Sequence, residues 1–325
     1  TVCDVATTGL HVDFWHNDKS TTLTDDQRRA GLFTGNSPTA SGPRPCCSQI
    51  APIGWFQMIR VGMSASCVYP LACEDGFRFA SKAGYDGVEV MVTRESVTQS
   101  AAGIRQLTDT YEMPVLSIHA PVLLLTHFVW GRDPQVKLER SAELAANVGA
   151  DTVVVHPPFR WQADYAERFL DIVRQTTANT GITIAVENMF PWKVRNSSMQ
   201  AYAPGPDPRE LDCDAITLDF SHAALSGHDS LELTKEYGER LRHVHLTDGS
   251  HADDGNRIFD EHLLPGYGKQ PVAEVLQHLA ANDWAGHVVA EVNTRKAKTE
   301  AERLAMLVET LDFARTHLGQ STPVG

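Results

Sequence analysis

Seven short apolar runs in this chain each end in a residue that can bind a divalent metal ion. Going from the end of one run to the end of the next takes 26 to 46 residues, the length of a strand, a helix and two loops. The sequence is therefore predicted to repeat a βα unit, with a candidate metal ligand at the end of each strand. These ligands are Glu89, His119, His156, Glu187, Asp219, His245 and Glu291.

A (β/α)8 barrel brings the carboxyl ends of its eight strands to one face, where catalytic groups collect. Ligands far apart in sequence would therefore meet in one pocket. A single histidine or carboxylate at a strand end is more often a structural group than a ligand. A whole series at successive strand ends favours a shared cation, because such side chains are seldom buried without a partner. Mixed imidazole and carboxylate ligands suit Zn²⁺ or Mn²⁺, whereas mainly carboxylate ligands favour Mg²⁺ or Mn²⁺.

The elements that would position these ligands can be predicted along the chain. The predicted strands are near-continuous Val, Ile and Leu runs, which is typical of a parallel sheet buried on both faces. They span residues 59–63, 87–92, 115–119, 152–156, 182–187, 215–219, 241–246 and 287–292. Helices are predicted at 74–82, 99–110, 134–147, 163–177, 272–281 and 300–317. We therefore predict an α/β fold, a (β/α)8 TIM barrel with an irregular N-terminal extension.

That extension, residues 1–57, differs in composition from the rest. It is rich in Thr, Ser, Asp, Gly and Pro, has no sustained periodicity, and lacks the pattern of a signal peptide. Two interpretations stay open: Met58 is the physiological start, or the extension is an arm packed on the barrel. We expect residues 1–57 to be dispensable and residues 58–325 to form the catalytic domain.

The segment between Glu187 and Asp219 is irregular as well. It contains four prolines and no good helical stripe, so the helix after the fifth strand is predicted to be replaced by a long loop. Loops of this length in compact domains are usually functional or mobile. We expect this loop to lie over the face that carries the metal ligands.

Composition narrows the classes of partner. The net charge of −13 argues against a broad basic surface that would bind a nucleic acid. The sequence contains no run of about 18 apolar residues, so no membrane-spanning helix is predicted. The six cysteines form no CxxC pair and are scattered as in proteins of a reducing compartment, so we expect a cytoplasmic protein. A homo-oligomer is compatible with this composition. Patterns for a serine nucleophile, a dinucleotide or a P-loop are absent.

Seven motifs together resemble the xylose isomerase-like barrel superfamily, which holds sugar phosphate isomerases and epimerases and also endonuclease IV. Each motif alone is weak, but the set is specific and covers roughly Met58 to Leu318. The motifs are HAP (119–121), VVVHPP (153–158), VEN (186–188), LDFSH (218–222), VHLTD (244–248), DEHLLPGYG (260–268) and VVAEVN (288–293).

Resemblance to the epimerase branch implies one divalent cation, Mn²⁺, Mg²⁺ or Co²⁺, held by Glu187, Asp219, His245 and Glu291. It also implies that the two glutamates transfer protons on opposite faces of a bound sugar. Removing a proton beside a carbonyl creates an enediolate, whose negative charge a cation stabilises as it develops. Glu187 and Glu291 are therefore predicted to be the acid/base pair.

Resemblance to the endonuclease branch implies a different site, in which three zinc ions activate water and hold a phosphodiester. The branch uses nine ligands, and each has a counterpart in this chain. They are His119, His156, Glu187, Asp219, His222, His245, Asp260, His262 and Glu291.

Features of the predicted strand-end loops favour a small carbohydrate over a nucleic acid. Cations are few and spread over five loops, whereas aromatic side chains suited to a sugar face are frequent. The segment KAGYDGVEV (82–90) also looks more like the sugar isomerases. The chain departs from the epimerase pattern at one residue expected to bind substrate: epimerases of this group often have an arginine where this chain has His251. The predicted substrate-binding residues are His119, His156, His222, Trp161, Trp192 and Arg295.

Two further points stay open. Glu89, after the second strand, is interpreted either as a hydrogen-bond partner of substrate or of a ligating histidine, or as a structural group. A third hypothesis makes the chain a catalytically silent barrel that binds a ligand. That hypothesis predicts lost metal ligands, and none of the ligand positions is lost.

Overall fold

The structure, a computed structural model, describes residues 59–121, 126, 128–194, 197–203, 205–250 and 260–320, with the side chains of 192–199 excepted. The strands are β1 (Arg60–Ser64), β2 (Gly87–Met91), β3 (Val115–His119), β4 (Thr152–Val155), β5 (Thr183–Glu187), β6 (Trp192–Val194), β7 (Ser197–Met199), β8 (Ile216–Asp219), β9 (Leu241–Leu246) and β10 (His287–Ala290). The α-helices are α1 (Cys73–Ala83), α2 (Ala101–Tyr111), α3 (Pro134–Val148), α4 (Ala163–Thr180), α5 (Phe220–Ser226), α6 (Ser230–Tyr237), α7 (Val272–Ala281) and α8 (Glu300–His317).

Eight parallel strands close into a barrel in the order β1-β10-β9-β8-β5-β4-β3-β2, and helices follow the strands along the chain. The predicted TIM barrel is confirmed. Its apolar strand residues are buried, as expected for a sheet covered on both faces. The register places Asp219 of β8 beside His245 of β9, and Glu89 of β2 beside Ser117 of β3. Polar side chains therefore lie inside the barrel as well as at its end.

Two strands end before the ligand that they are predicted to carry. Strand β4 ends at Val155 and β10 ends at Ala290, so His156 and Glu291 each lie one residue beyond their strand. Both residues still lie at the carboxyl end of the barrel, as predicted. Helices α5 and α6 are not predicted from the sequence, because seven and eight residues are too few to display a repeated apolar stripe.

The long segment after β5 contains no α-helix among its described residues. It forms instead a short antiparallel hairpin of β6 and β7, and it joins the loop after β4. Backbone N–H groups of Arg160 and Ala203 donate to the carbonyls of Ala201 and Pro158 at 2.9 Å each. The loop is thereby fastened to the turn that follows His156.

Several expectations fall outside the described residues, namely the interpretation of residues 1–57, the position of His251 and the side chain of Trp192. Cys67, Cys73 and Cys213 are buried free thiols. Within the described residues, no helix combines the length and the apolar character that crossing a membrane requires.

Candidate active site

Three predicted ligands meet around one atom of a fourth, Nδ1 of His245. This nitrogen lies 3.0 Å from Oε1 of Glu187, 3.1 Å from Oε2 of Glu291 and 3.7 Å from Oδ2 of Asp219. One ligand atom from each of the four residues lies within 4.8 Å of all the others. All four side chains are buried, so the arrangement is a compact polar cluster at the carboxyl end of the barrel.

Local structure explains how Asp219 is aimed. Its side chain caps helix α5, since Oδ1 accepts a hydrogen bond from the backbone N–H of His222 at 2.7 Å. That bond leaves Oδ2 directed toward His245. Asn188 joins the two neighbouring strand ends: its amide donates to the carbonyl of Asp219 at 3.0 Å and its Oδ1 accepts from the N–H of Asp219 at 2.7 Å. Asn188 therefore holds the main chains that carry Glu187 and Asp219 in register.

The donor set fits a divalent cation. Oδ2 of Asp219 is buried and has no hydrogen-bond partner among the described residues. Buried carboxylate oxygens rarely lack a partner, because the lost hydration must be replaced. Oxygen and imidazole ligands converging on one point supply that replacement when a cation binds between them.

Glu187 also contacts a second group of histidines. Its Oε2 lies 3.0 Å from Nε2 of His156 and 3.4 Å from Nε2 of His119. The two imidazole rings meet edge to face, with centroids 5.1 Å apart. Glu187 is thus placed to bridge two groups of ligands, one on each carboxylate oxygen.

A third group surrounds Asp260. Its Oδ2 lies 3.0 Å from Nε2 of His222 and 2.8 Å from Nε2 of His262, while Oδ1 accepts a hydrogen bond from Ser221 at 2.7 Å. His262 has a positive φ of 44°, a strained conformation for a residue with a Cβ. Its Nδ1 lies 2.7 Å from the carbonyl of Glu291, which connects this group to the end of β10.

The loop that carries Asp260 and His262 is held by Asp248. The two oxygens of this buried carboxylate accept four backbone N–H groups, from Gly249, Gly266, Gly268 and Gln270. A Cβ added at Gly268 would lie 2.2 Å from Oδ1 of Asp248, so only glycine permits the close approach. The glycines of the DEHLLPGYG motif are therefore part of this clamp.

Charges within the cluster favour bound protons when no cation is present. Burial alone would lower the pKa of His245, but the charges of Glu291, Glu89 and Glu187 raise it well above its usual value. Burial, opposed by the charges of His222 and His262, raises the pKa of Asp219 to about 6. A cation binding here would have to displace protons, because imidazole coordinates a metal only in its deprotonated form.

Sequence analysis missed Ser66, whose hydroxyl donates to Oε1 of Glu291 at 3.2 Å. Ser66 follows β1 in a stretch with no recognisable motif, so only the closure of β1 against β10 reveals it. Asn188 lies within a quoted motif, but its role depends on the strand beside it. Nothing in the amino-acid sequence alone indicates the contact that either residue makes.

Two of the predicted substrate-binding residues, Trp161 and Arg295, lie beside aromatic side chains. Trp161 is 56% exposed and stacks on Phe159 with ring centroids 4.5 Å apart. The guanidinium carbon of Arg295 lies 5.6 Å from the centroid of the Tyr69 ring. Binding of substrate by Trp161 and Arg295 stays a prediction.

A cavity of about 450 Å³ lies elsewhere, at the amino ends of the barrel strands, where Arg60, Asp151 and His287 line it. His287 Nε2 lies 2.9 Å from Oδ1 of Asp151. Catalytic groups of TIM barrels lie at the opposite end, so we assign the chemistry to the polar cluster and not to this cavity.

Comparisons with known proteins agree with this architecture. The family model described as "Xylose isomerase-like TIM barrel" matches residues 77–317. The uncharacterized protein Rv0498 of Mycobacterium tuberculosis is 46% identical over 279 residues, which cover 80% of this chain and 98% of that protein. Fructoselysine 3-epimerase of Escherichia coli O157:H7 is 24% identical over 263 residues, 73% of this chain and 91% of the epimerase. A crystal structure of the IOLI protein with a zinc atom has a TM-score of 0.58 at 15% identity, covering 80% of this chain and 99% of that one.

Proposed function

Because the chain belongs to the xylose isomerase-like TIM barrel family, we propose that it is a metal-dependent isomerase or epimerase acting on a small carbohydrate. One observation carries the proposal: Nδ1 of His245 meets oxygens of Glu187, Asp219 and Glu291. The Asp219 oxygen is buried and has no hydrogen-bond partner among the described residues. Such a cluster can hold one divalent cation and offers two glutamates for proton transfer.

A divalent cation bound there would supply positive charge to stabilise the negative charge that develops on substrate oxygen when a proton leaves the neighbouring carbon. Glu291 takes that proton on a carboxylate oxygen. In an epimerisation Glu187 returns a proton from the opposite face. In an isomerisation the proton returns to the adjacent carbon, and the hydroxyl proton of the substrate moves to the former carbonyl oxygen.

The surroundings of the two glutamates differ, and this difference divides their roles. Glu291 lies at the rim, 7% exposed, with Oε1 hydrogen-bonded by Ser66. Glu187 is 1% exposed and has imidazole nitrogens beside both of its oxygens. Glu291 is therefore the carboxylate that a substrate reaches first, and Glu187 is the one more completely committed to holding a cation.

The test is to incubate the Mn²⁺-loaded protein with a panel of ketoses and aldoses, free and phosphorylated, in D₂O. We expect deuterium to appear at the carbon beside the carbonyl of at least one sugar, as read by mass spectrometry and proton NMR. Absence of exchange across the whole panel would contradict the proposal. A sample treated with chelator serves as the control for metal dependence.

The additional histidine groups favour a second candidate, a multi-zinc phosphodiesterase. His119 and His156 face Oε2 of Glu187, and His222 and His262 share Asp260. Together with the group around His245, these form three adjacent groups of ligands among the described residues at the carboxyl end of the barrel. Two or three tightly held Zn²⁺ ions per chain, together with cleavage of DNA at an abasic site, would favour this candidate. About one ion per chain favours the isomerase.

A further inference from the structure

Glu89 is a carboxylate enclosed inside the barrel, with no exposed surface. Three side-chain groups surround it: the hydroxyl of Ser117 at 2.8 Å, Nε2 of His243 at 3.3 Å and Nε2 of His245 at 3.2 Å. An ionised carboxylate in such a place is stable only when hydrogen-bond donors replace its lost hydration. Ser117 and the two imidazoles supply these donors from strands β3 and β9.

The contact with Glu89 decides which nitrogen of His245 keeps its proton when a cation binds. An ionised carboxylate only accepts hydrogen bonds, so Nε2 of His245 must carry the proton that it donates. Without a cation Nδ1 also faces a carboxylate, that of Glu187 at 3.0 Å, and carries a proton of its own. When a cation displaces that proton, the imidazole stays protonated at Nε2 and has its lone pair on Nδ1. Nδ1 is the atom that faces Glu187, Asp219 and Glu291.

The ring of His245 is also fixed in orientation. It stacks on the ring of His119 with centroids 5.7 Å apart and an interplanar angle of 8°, and it meets His243 edge to face at 4.9 Å. Rotating the ring to exchange its nitrogens would break the hydrogen bond to Glu89. Packing therefore fixes the plane of the ring, and the hydrogen bond to Glu89 fixes which edge carries Nδ1.

We propose that Glu89 is a positioning residue that holds His245 in its Nε2-protonated form and thereby presents Nδ1 to the cation. The inference rests on the metal site of the proposed function. It also decides among the roles left open by the sequence, because a carboxylate with no exposed surface beneath His245 is shut off from substrate. Carboxylates that accept the second N–H of a ligating histidine commonly tune metal affinity in this way.

The experiment uses the full chain with Glu89 replaced by glutamine, which preserves shape but removes the charge. We expect affinity for Zn²⁺, measured by competition with a chromophoric chelator, to fall about 10- to 100-fold. In ¹⁵N-histidine NMR spectra of the Zn²⁺-loaded protein, wild type should show His245 protonated at Nε2 and coordinated through Nδ1. Glu89→Gln should lose or shift that Nε2–H signal.

Two variants separate positioning from general destabilisation. Ser117→Ala removes a different donor to Glu89 and keeps the contact with His245, so its loss of Zn²⁺ affinity should be much smaller. Glu89→Asp keeps the charge but withdraws the oxygens, and an intermediate loss with the same His245 protonation state is expected. Thermal unfolding of each apo protein shows whether a loss of affinity follows a loss of fold.

Three results would overturn the proposal: unchanged Zn²⁺ affinity in Glu89→Gln, coordination of His245 through Nε2, or a second cation bound directly by Glu89. These measurements need no sugar. A wild-type protein that binds Zn²⁺ as described but exchanges no deuterium into any sugar would contradict the proposed isomerase and leave the role of Glu89 supported.

Discussion

Nδ1 of His245 lies 3.0 Å from Oε1 of Glu187, although 58 positions separate the two residues in the chain. Strand β9 lies between β8 and β10, so Asp219 and Glu291 approach the same nitrogen from either side. One atom thus marks the point at which ligands from four strands meet. Substitutions at these positions are expected to change cation binding before they change the fold.

Glu291→Gln tests the acid/base role directly. Glutamine keeps an oxygen that can still hold a cation weakly, but it cannot take a proton from carbon. We expect turnover of the active sugar to fall about 10²- to 10⁴-fold, measured as the initial rate of deuterium incorporation. Glu309→Gln, at an exposed carboxylate on α8 that contacts Tyr267, is the matched control and should leave the rate unchanged. Equal rates in wild type and Glu291→Gln would exclude Glu291 as the base.

Much of this site could be predicted from the sequence, because the sequence shows both where the strands end and which residues at those ends can bind a metal. Glu187, Asp219 and His245 end or occupy strands at regular spacing, and barrel closure then brings them together. Ser66 and Asn188 could not be predicted, since their roles depend on which strand lies beside them. The same limit applies to the clamp of Asp248, which depends on the path of a loop.

Asp219→Asn separates metal binding from helix capping. The amide oxygen can still accept the N–H of His222, but the negative charge facing His245 is lost. We expect Mn²⁺ affinity, measured by calorimetry, to fall at least tenfold with little change in unfolding temperature. Asp229→Asn is the control, because Asp229 caps α6 through the backbone N–H groups of Leu231 and Glu232. If both variants lowered affinity equally, capping and not ligation would explain the effect.

Gly268→Ala tests the clamp that holds the loop of His262. The added methyl group would lie 2.2 Å from Oδ1 of Asp248, so the loop or the carboxylate must move. We expect the free energy of unfolding in urea to fall by about 1–3 kcal/mol. Tyr267→Ala in the same turn should change it by less than about 0.5 kcal/mol, because that side chain is 66% exposed. A fully stable Gly268→Ala protein would show that the clamp is not needed.

Lys137 is expected to make the free energy of unfolding depend on pH. Its buried ammonium donates to the carbonyls of Thr126 and Pro121 at 2.7 and 3.3 Å, and burial lowers the pKa to about 8 from 10.5. Between these values the unfolded chain binds more protons than the folded chain, so this group makes stability rise as pH increases from 8 to 10.5. Lys137→Met should lack that contribution. The check is the difference in unfolding free energy between wild type and variant at pH 8 and pH 10, and a difference independent of pH would contradict it.

The most direct measurement of the central claim is anomalous diffraction from crystals of the full chain loaded with Mn²⁺. A single strong peak is predicted within about 2.0–2.3 Å of Nδ1 of His245 and of carboxylate oxygens of Glu187, Asp219 and Glu291. A peak located only at another group of side chains, or no peak among these four, would contradict the account.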